Sequence, residues 1–288
     1  MGKREILAGV ALLCLATAAH ADDEIPPVHN GQTWTKHLLM RAKAANPRIV
    51  SIEAVGPKEP AGAVIYGTTR NNTETFPAAV EPALGVKKAH GQYVVAVPYV
   101  TSTGHRIGTL SIAYRDGKGI RPAALQADAA RVAKSIAHDL LSSKNAGDPY
   151  PWDKNFGPNT YAQKLTNEIV ARNPDILVVM LHATPPKGGD NVVIGSNIGR
   201  FGKVADEDDL RIINTAATNL EVAGEGDDRF ETAMPMYDAA HKQSGALGIV
   251  FHLTPGADKE AIHARGRKIR DELAKKIPDN AALFKPAK

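Results

Sequence analysis

The spacing of apolar positions changes period along this chain, and it does so twice in the same order. In residues 33–47 (T-W-T-K-H-L-L-M-R-A-K-A-A-N-P), Trp34, His37, Leu38 and the pairs Met40-Arg41 and Ala44-Ala45 fall near helical spacing. In residues 160–174 (T-Y-A-Q-K-L-T-N-E-I-V-A-R-N-P), Tyr161, Leu165, Ile169 and Val170 do the same. Thr33 and Thr160 stand where an N-cap hydroxyl would satisfy free backbone N–H groups. Both runs end at Asn-Pro, and proline disfavours helical geometry in the residue before it.

The apolar runs then shorten to strand length. Strands are predicted over 49–55 and 176–182, each followed by a Gly/Pro-rich turn (56–62 and 184–190) and a second strand (63–69 and 191–197). Connections this short favour antiparallel pairing. Later, 93–100 pairs with 108–115 through T-S-T-G-H-R, and 229–237 with 245–253 through D-A-A-H-K-Q-S. Helices over 122–141 and 257–277 close the two stretches. The predicted fold class is α+β: two units, each an antiparallel sheet with N- and C-terminal helices.

The repetition is also one of residues. Thr33/Thr160, Trp34/Tyr161, Leu38/Leu165 and Pro47/Pro174 are separated by 127 positions, and the hairpins 97–114 and 234–251 by 137. A period this long fits a duplicated domain rather than a solenoid. The expected units are 31–145 and 158–280. They differ in the middle, where the second copy carries G-R-F-G-K-V-A-D-E-D-D-L-R (199–211) and the first carries N-N-T-E-T-F-P-A-A-V-E-P-A-L (71–84). Asp206 to Asp209 read as the acidic first turn of a short helix.

Composition narrows the compartment. Lys3 and Arg4, the apolar run 6–15 and Ala19-His20-Ala21 read as a secretory leader over 1–21 with expected cleavage after Ala21, an uncleaved N-terminal anchor being the alternative. The expected location is periplasmic or secreted, with nothing spanning a membrane after cleavage. Cys14 is the only cysteine and lies in that leader, so the mature chain uses no disulfides. A net charge of +4 without any basic run gives no support to nucleic-acid binding.

Two motifs in the second copy carry a family resemblance. Ser196-Asn197-Ile198-Gly199-Arg200-Phe201-Gly202-Lys203, followed by Met234-Pro235-Met236-Tyr237-Asp238 and Gly245-Ala246-Leu247-Gly248-Ile249-Val250, resembles the Cache domains, the extracellular PAS-like sensor modules of bacteria. The first copy keeps Val97-Pro98-Tyr99 and Ile107-Gly108-Thr109-Leu110 but lacks the Arg-x-Gly-Lys segment. The resemblance implies two PAS-like units and small-molecule sensing outside the cytoplasm, mainly by the second copy. Family members usually carry membrane helices and signalling outputs. This chain has neither pattern, so its expected partner is a membrane-bound receptor or transporter, unless binding alone is its role.

Candidate ligand-binding residues follow from the chemistry of the second copy. Arg200 could fork onto a carboxylate, or pair with Asp206–Asp209. Ser196 and Asn197 could bond a ligand or cap the turn. His182 stands where the first copy has Val55. Arg229 opens the third strand of its copy, with Glu231 beside it on a face that could be surface. Tyr237 and Asp238 end that strand, where Asp238 could also nucleate the hairpin turn. The acidic groups lack calcium-loop spacing, and no metal or cofactor is indicated. No nucleophile elbow, cysteine nucleophile or phosphate loop is visible, so an enzyme is not expected. The expected function is capture of a small polar or anionic metabolite. A ligand-free docking module and an enzyme with scattered residues are the alternatives.

Overall fold

The computed structural model describes residues 32–59, 62–69, 83–89, 91–224 and 226–287. The expected leader and most of the first copy's middle segment (71–84) lie outside the described residues. In chain order the elements are α1 (Trp34–Ala45), β1 (Ile49–Glu59), β2 (Gly62–Thr68), β3 (Gly85–Ala89), β4 (Gln92–Val100), β5 (Arg106–Arg115), α2 (Pro122–His138) and α3 (Ser143–Gly147). The second half continues with α4 (Tyr161–Arg172), β6 (Ile176–Ala183), β7 (Val192–Ser196), α5 (Glu207–Thr215), β8 (Asn219–Ala223), β9 (Arg229–Tyr237), β10 (Gln243–His252), α6 (Lys259–Ala274) and α7 (Asn280–Leu283).

These elements make an α+β fold with two five-stranded antiparallel sheets, ordered β2-β1-β5-β4-β3 and β7-β6-β10-β9-β8. Numbered within its own half, each sheet has the order 2-1-5-4-3. The four-strand expectation was one strand short in each half. The extra strands, β3 and β8, have five residues each and, among the described residues, are sheet edges pairing only with β4 and β9. An edge strand bears less of the core, so G-V-K-K-A and N-L-E-V-A need no clean alternation; charge on such an edge also discourages further pairing.

The helix signals are realised by matching contacts. Thr33 Oγ1 accepts from Lys36 N at 3.0 Å, and Thr160 Oγ1 from Gln163 N at 3.1 Å. Each hydroxyl also donates to its own sheet, to Tyr66 O at 2.6 Å and Ile194 O at 3.1 Å. The caps therefore orient α1 and α4 against strands as well as starting them. One core packs Leu38 and Leu39 with Ile52, Ile112, Leu125 and Ile136; the other packs Leu165 with Val179, Leu181, Ile249, Met234 and Leu273. Burying each such side chain contributes about 1.5–3 kcal/mol.

The long helices end three residues before the expected 141 and 277, because the chain turns back toward the start of its own half. Trp34 N donates to Asp148 O at 2.8 Å, and Tyr161 N to Lys285 O at 2.7 Å. Isolated bridges join Thr33 to Pro149 and Thr160 to Pro286. The first N–H groups of a helix have no partner within it, and these returning segments supply one each.

Each sheet holds a glycine that the neighbouring strand requires. Gly108 (φ +156°) and Gly245 (φ +150°) lie at irregular registers of β5 and β10. A Cβ on Gly108 would fall 2.1 Å from Val55 O, and one on Gly245 1.8 Å from His182 O. Among the described residues no helix is long and apolar enough to cross a membrane.

Candidate functional site: an acidic cavity over the second sheet

Side chains alternate across β9. Thr232 and Met234 face α6, where Gly266 passes so close that a Cβ would stand 2.8 Å from Thr232 Oγ1. Glu231 and Ala233 therefore face the other way, toward α5. That helix is fixed by a capping box: Asp206 Oδ1 accepts from Asp209 N at 3.2 Å, and Asp209 Oδ2 from Asp206 N at 3.4 Å. Ile212 seals α5 onto Ala233 and Ala246. Beside this apolar contact a cavity of about 190 Å³ remains, walled by His182, Arg200, Asp206, Asp209, Glu221 and Glu231, among others.

His182 is the most buried of these. It lies between Val193 of β7 and Ala246 of β10, only 3% exposed, and among the described residues neither ring nitrogen has a hydrogen-bond partner. Its Nδ1 is 3.5 Å from Asp209 Oδ2 without hydrogen-bond geometry. Burial holds the ring's pKa down to about 4, so it is neutral, with one donor and one acceptor on offer. Leaving buried polar atoms unpaired costs about 1–3 kcal/mol each, which makes the position expensive as pure packing.

The carboxylates across the cavity are perturbed in the opposite sense. Burial pushes Glu231 up to about 7, helped by the charges of Glu221 and Asp206. Burial also raises Asp209, followed by the charge of Asp206. Arg200 and Lys203 put positive charge in the same wall, but each has a carboxylate. Arg200 Nε donates to Asp148 Oδ2 at 2.9 Å, and Lys203 Nζ is 3.8 Å from Asp206 Oδ2. Among the described residues no group of three or more His, Asp or Glu side chains converges to hold a metal ion.

The seven residues singled out in the sequence thus divide. His182 and Arg200 meet at this cavity. Ser196 and Asn197 build backbone instead: Ser196 Oγ accepts from Ile198 N at 3.2 Å, while Asn197 accepts from Val179 N and donates to Leu177 O, both at 2.8 Å. They border a different cleft of about 500 Å³ between the two halves, with Trp34, Tyr150 and Phe201. Arg229 lies against Asp228, which also holds His105 of the first half at 2.7 Å. Asp238 accepts from Ala240 N and Lys242 N, both at 2.9 Å, as a turn nucleator, and Tyr237 lies under the Arg270 guanidinium. Those two border a third pocket, of about 340 Å³.

Asp209 and Glu231 were not singled out. The signal for Glu231 was the two-residue spacing to Ala233, a small residue suited to a packed face. Asp209 reads in the sequence as a helix-start residue, a role it fills, and as part of an acidic group that could pair with Arg200.

No family model matches the chain, and no curated protein matches it. Among solved structures, one similar chain is the repressor BlcR of Agobacterium tumefaciens, at 15% identity over 44% of this chain and 71% of that one, with a TM-score of 0.27. Another is PelD 158-CT from Pseudomonas aeruginosa PAO1, at 15% identity over 84% of this chain and 75% of that one, with a TM-score of 0.24. Likeness this loose carries no functional assignment.

Proposed function

We propose that this is an exported, non-enzymatic binding protein of the PAS-like, Cache type, whose second unit captures a small polar metabolite and presents it to, or signals through, a separate partner. The supporting observation is His182: a neutral ring, buried, unpartnered at both nitrogens among the described residues and facing a polar cavity. A bound ligand would supply the missing hydrogen bonds, and its binding free energy would offset their cost. The cavity lies between the sheet and the segment 197–228, where the resemblance puts a ligand. That segment also touches the first half through Arg200 and Asp148, giving occupancy a route to a surface a partner could read.

The test is a thermal-shift screen of residues 22–288 against amines, amino acids, organic acids and nucleobases. A ligand that raises the melting temperature of the native chain, and less so that of His182→Phe, is expected. No shift across the whole library would remove the reading.

A docking module is the second reading, and one observation favours it. The first half carries an open groove of about 600 Å³ between β4 and α2, lined largely by apolar side chains such as Val97, Pro98, Val100, Ala130 and Ala133. A stoichiometric partner lost on Ala133→Glu substitution would support that role.

A further inference from the structure

The charge in the cavity wall names a ligand class, on the reading that this cavity is the binding site. The two cations there are already engaged, Arg200 by Asp148 at 2.9 Å and Lys203 by Asp206 at 3.8 Å. An incoming carboxylate would displace one of those pairs and would face Asp209 and Glu231 across a narrow space. Among the described residues the wall contains no Phe, Tyr or Trp, so they offer no aromatic cage of the sort that holds a quaternary ammonium. The side chains left for a ligand are carboxyl groups, one neutral imidazole and the Asn219 amide, of which the last two can each donate and accept. A cavity of about 190 Å³ is below the roughly 300–1,000 Å³ of drug-sized ligand sites, which excludes a nucleotide or a peptide.

We infer that the ligand is a small primary amine bearing a second polar group, its ammonium lodged between Glu231 and Asp209 and its hydroxyl or second nitrogen paired with the His182 ring. An ammonium has three N–H donors, so it can satisfy both carboxylates at once, which a metal ion could do only with further ligands that this wall does not converge. Binding of a cation also favours the ionised forms of both acids, so it displaces whatever protons they carry.

Calorimetric titration of the purified protein at pH 8 decides this, with ethanolamine and 1,4-diaminobutane as primary amines, choline as the quaternary control and succinate as the anion. Saturable binding of a primary amine, with at least tenfold weaker binding in Glu231→Gln and in Asp209→Asn, is the expected result. Choline binding as well as ethanolamine would overturn the N–H argument. Amine binding unchanged in both variants would overturn the placement. Succinate binding without amine binding would overturn the ligand class and leave the cavity standing as the site. Failure of all four probes, together with a blank thermal-shift screen, would remove both the inference and the function it rests on.

Discussion

At the scale of residues, the second sheet keeps Glu231 in a place that disfavours its charge. Its pKa is about 7 in the folded protein against an ordinary glutamate value near 4.5. The folded state therefore holds this proton more tightly than the unfolded one, and stability from this group falls as pH rises from about 4.5 to about 7. Glu231→Gln removes the penalty: the variant should be more stable by about 1–3 kcal/mol at pH 8 and indistinguishable at pH 4.5, read by urea denaturation at the two values. His182 works against this on acidification. A ring held neutral down to about 4 loses stability as pH falls from about 6.5 to about 4, so the native chain should be most stable between the two effects. His182 and Arg200 were legible in the sequence because they broke a comparison, one replacing a valine and the other absent from the first copy. Glu231 was not legible, since a carboxylate in a strand reads as solvated until a helix is known to cover that face. Asp238 realises the turn alternative that the sequence offered for it, since strand ends are where turns need such residues.

At the scale of elements, the two sheets share a steric requirement that the aligned hairpins already carried. Gly245 admits the carbonyl of His182, and Gly108 that of Val55, at distances no β-carbon tolerates. Gly245→Ala should cost about 2–4 kcal/mol by forcing β6 and β10 apart, and it should also move the His182 ring and weaken ligand binding. A loss under about 0.5 kcal/mol in chemical denaturation would show that the strands relax freely. Caps, stops and central strands were readable because each rests on local chemistry: a threonine hydroxyl, a proline ring, an apolar run. The edge strands β3 and β8 were not, because their pairing is set by what lies beside them.

At the scale of the whole molecule, the halves are joined by polar groups out of water. Asp148, 2% exposed, accepts from Arg200 across the junction and from Asn145, whose amide also donates to Ile198 O at 3.1 Å. Removing one partner of a buried ion pair leaves the other charge uncompensated, at about 3–5 kcal/mol. Asp148→Ala should lower stability by about that much and split one calorimetric melting transition into two. A single transition at the native midpoint would place the coupling elsewhere. Nothing in the linear chain announced this pair, because the arginine was read within its own copy.

The returning segments carry a further consequence. Thr33 lies beside Pro149 and Thr160 beside Pro286, so the chain enters and leaves each half at nearly one point. A module closed in this way behaves as a cassette. It can be copied in tandem, transplanted or circularly permuted without stretching a connection, because the bond that would join its two ends is already almost in place. Tandem copying of a closed module of this kind is a direct route to a chain that reads nearly the same way twice.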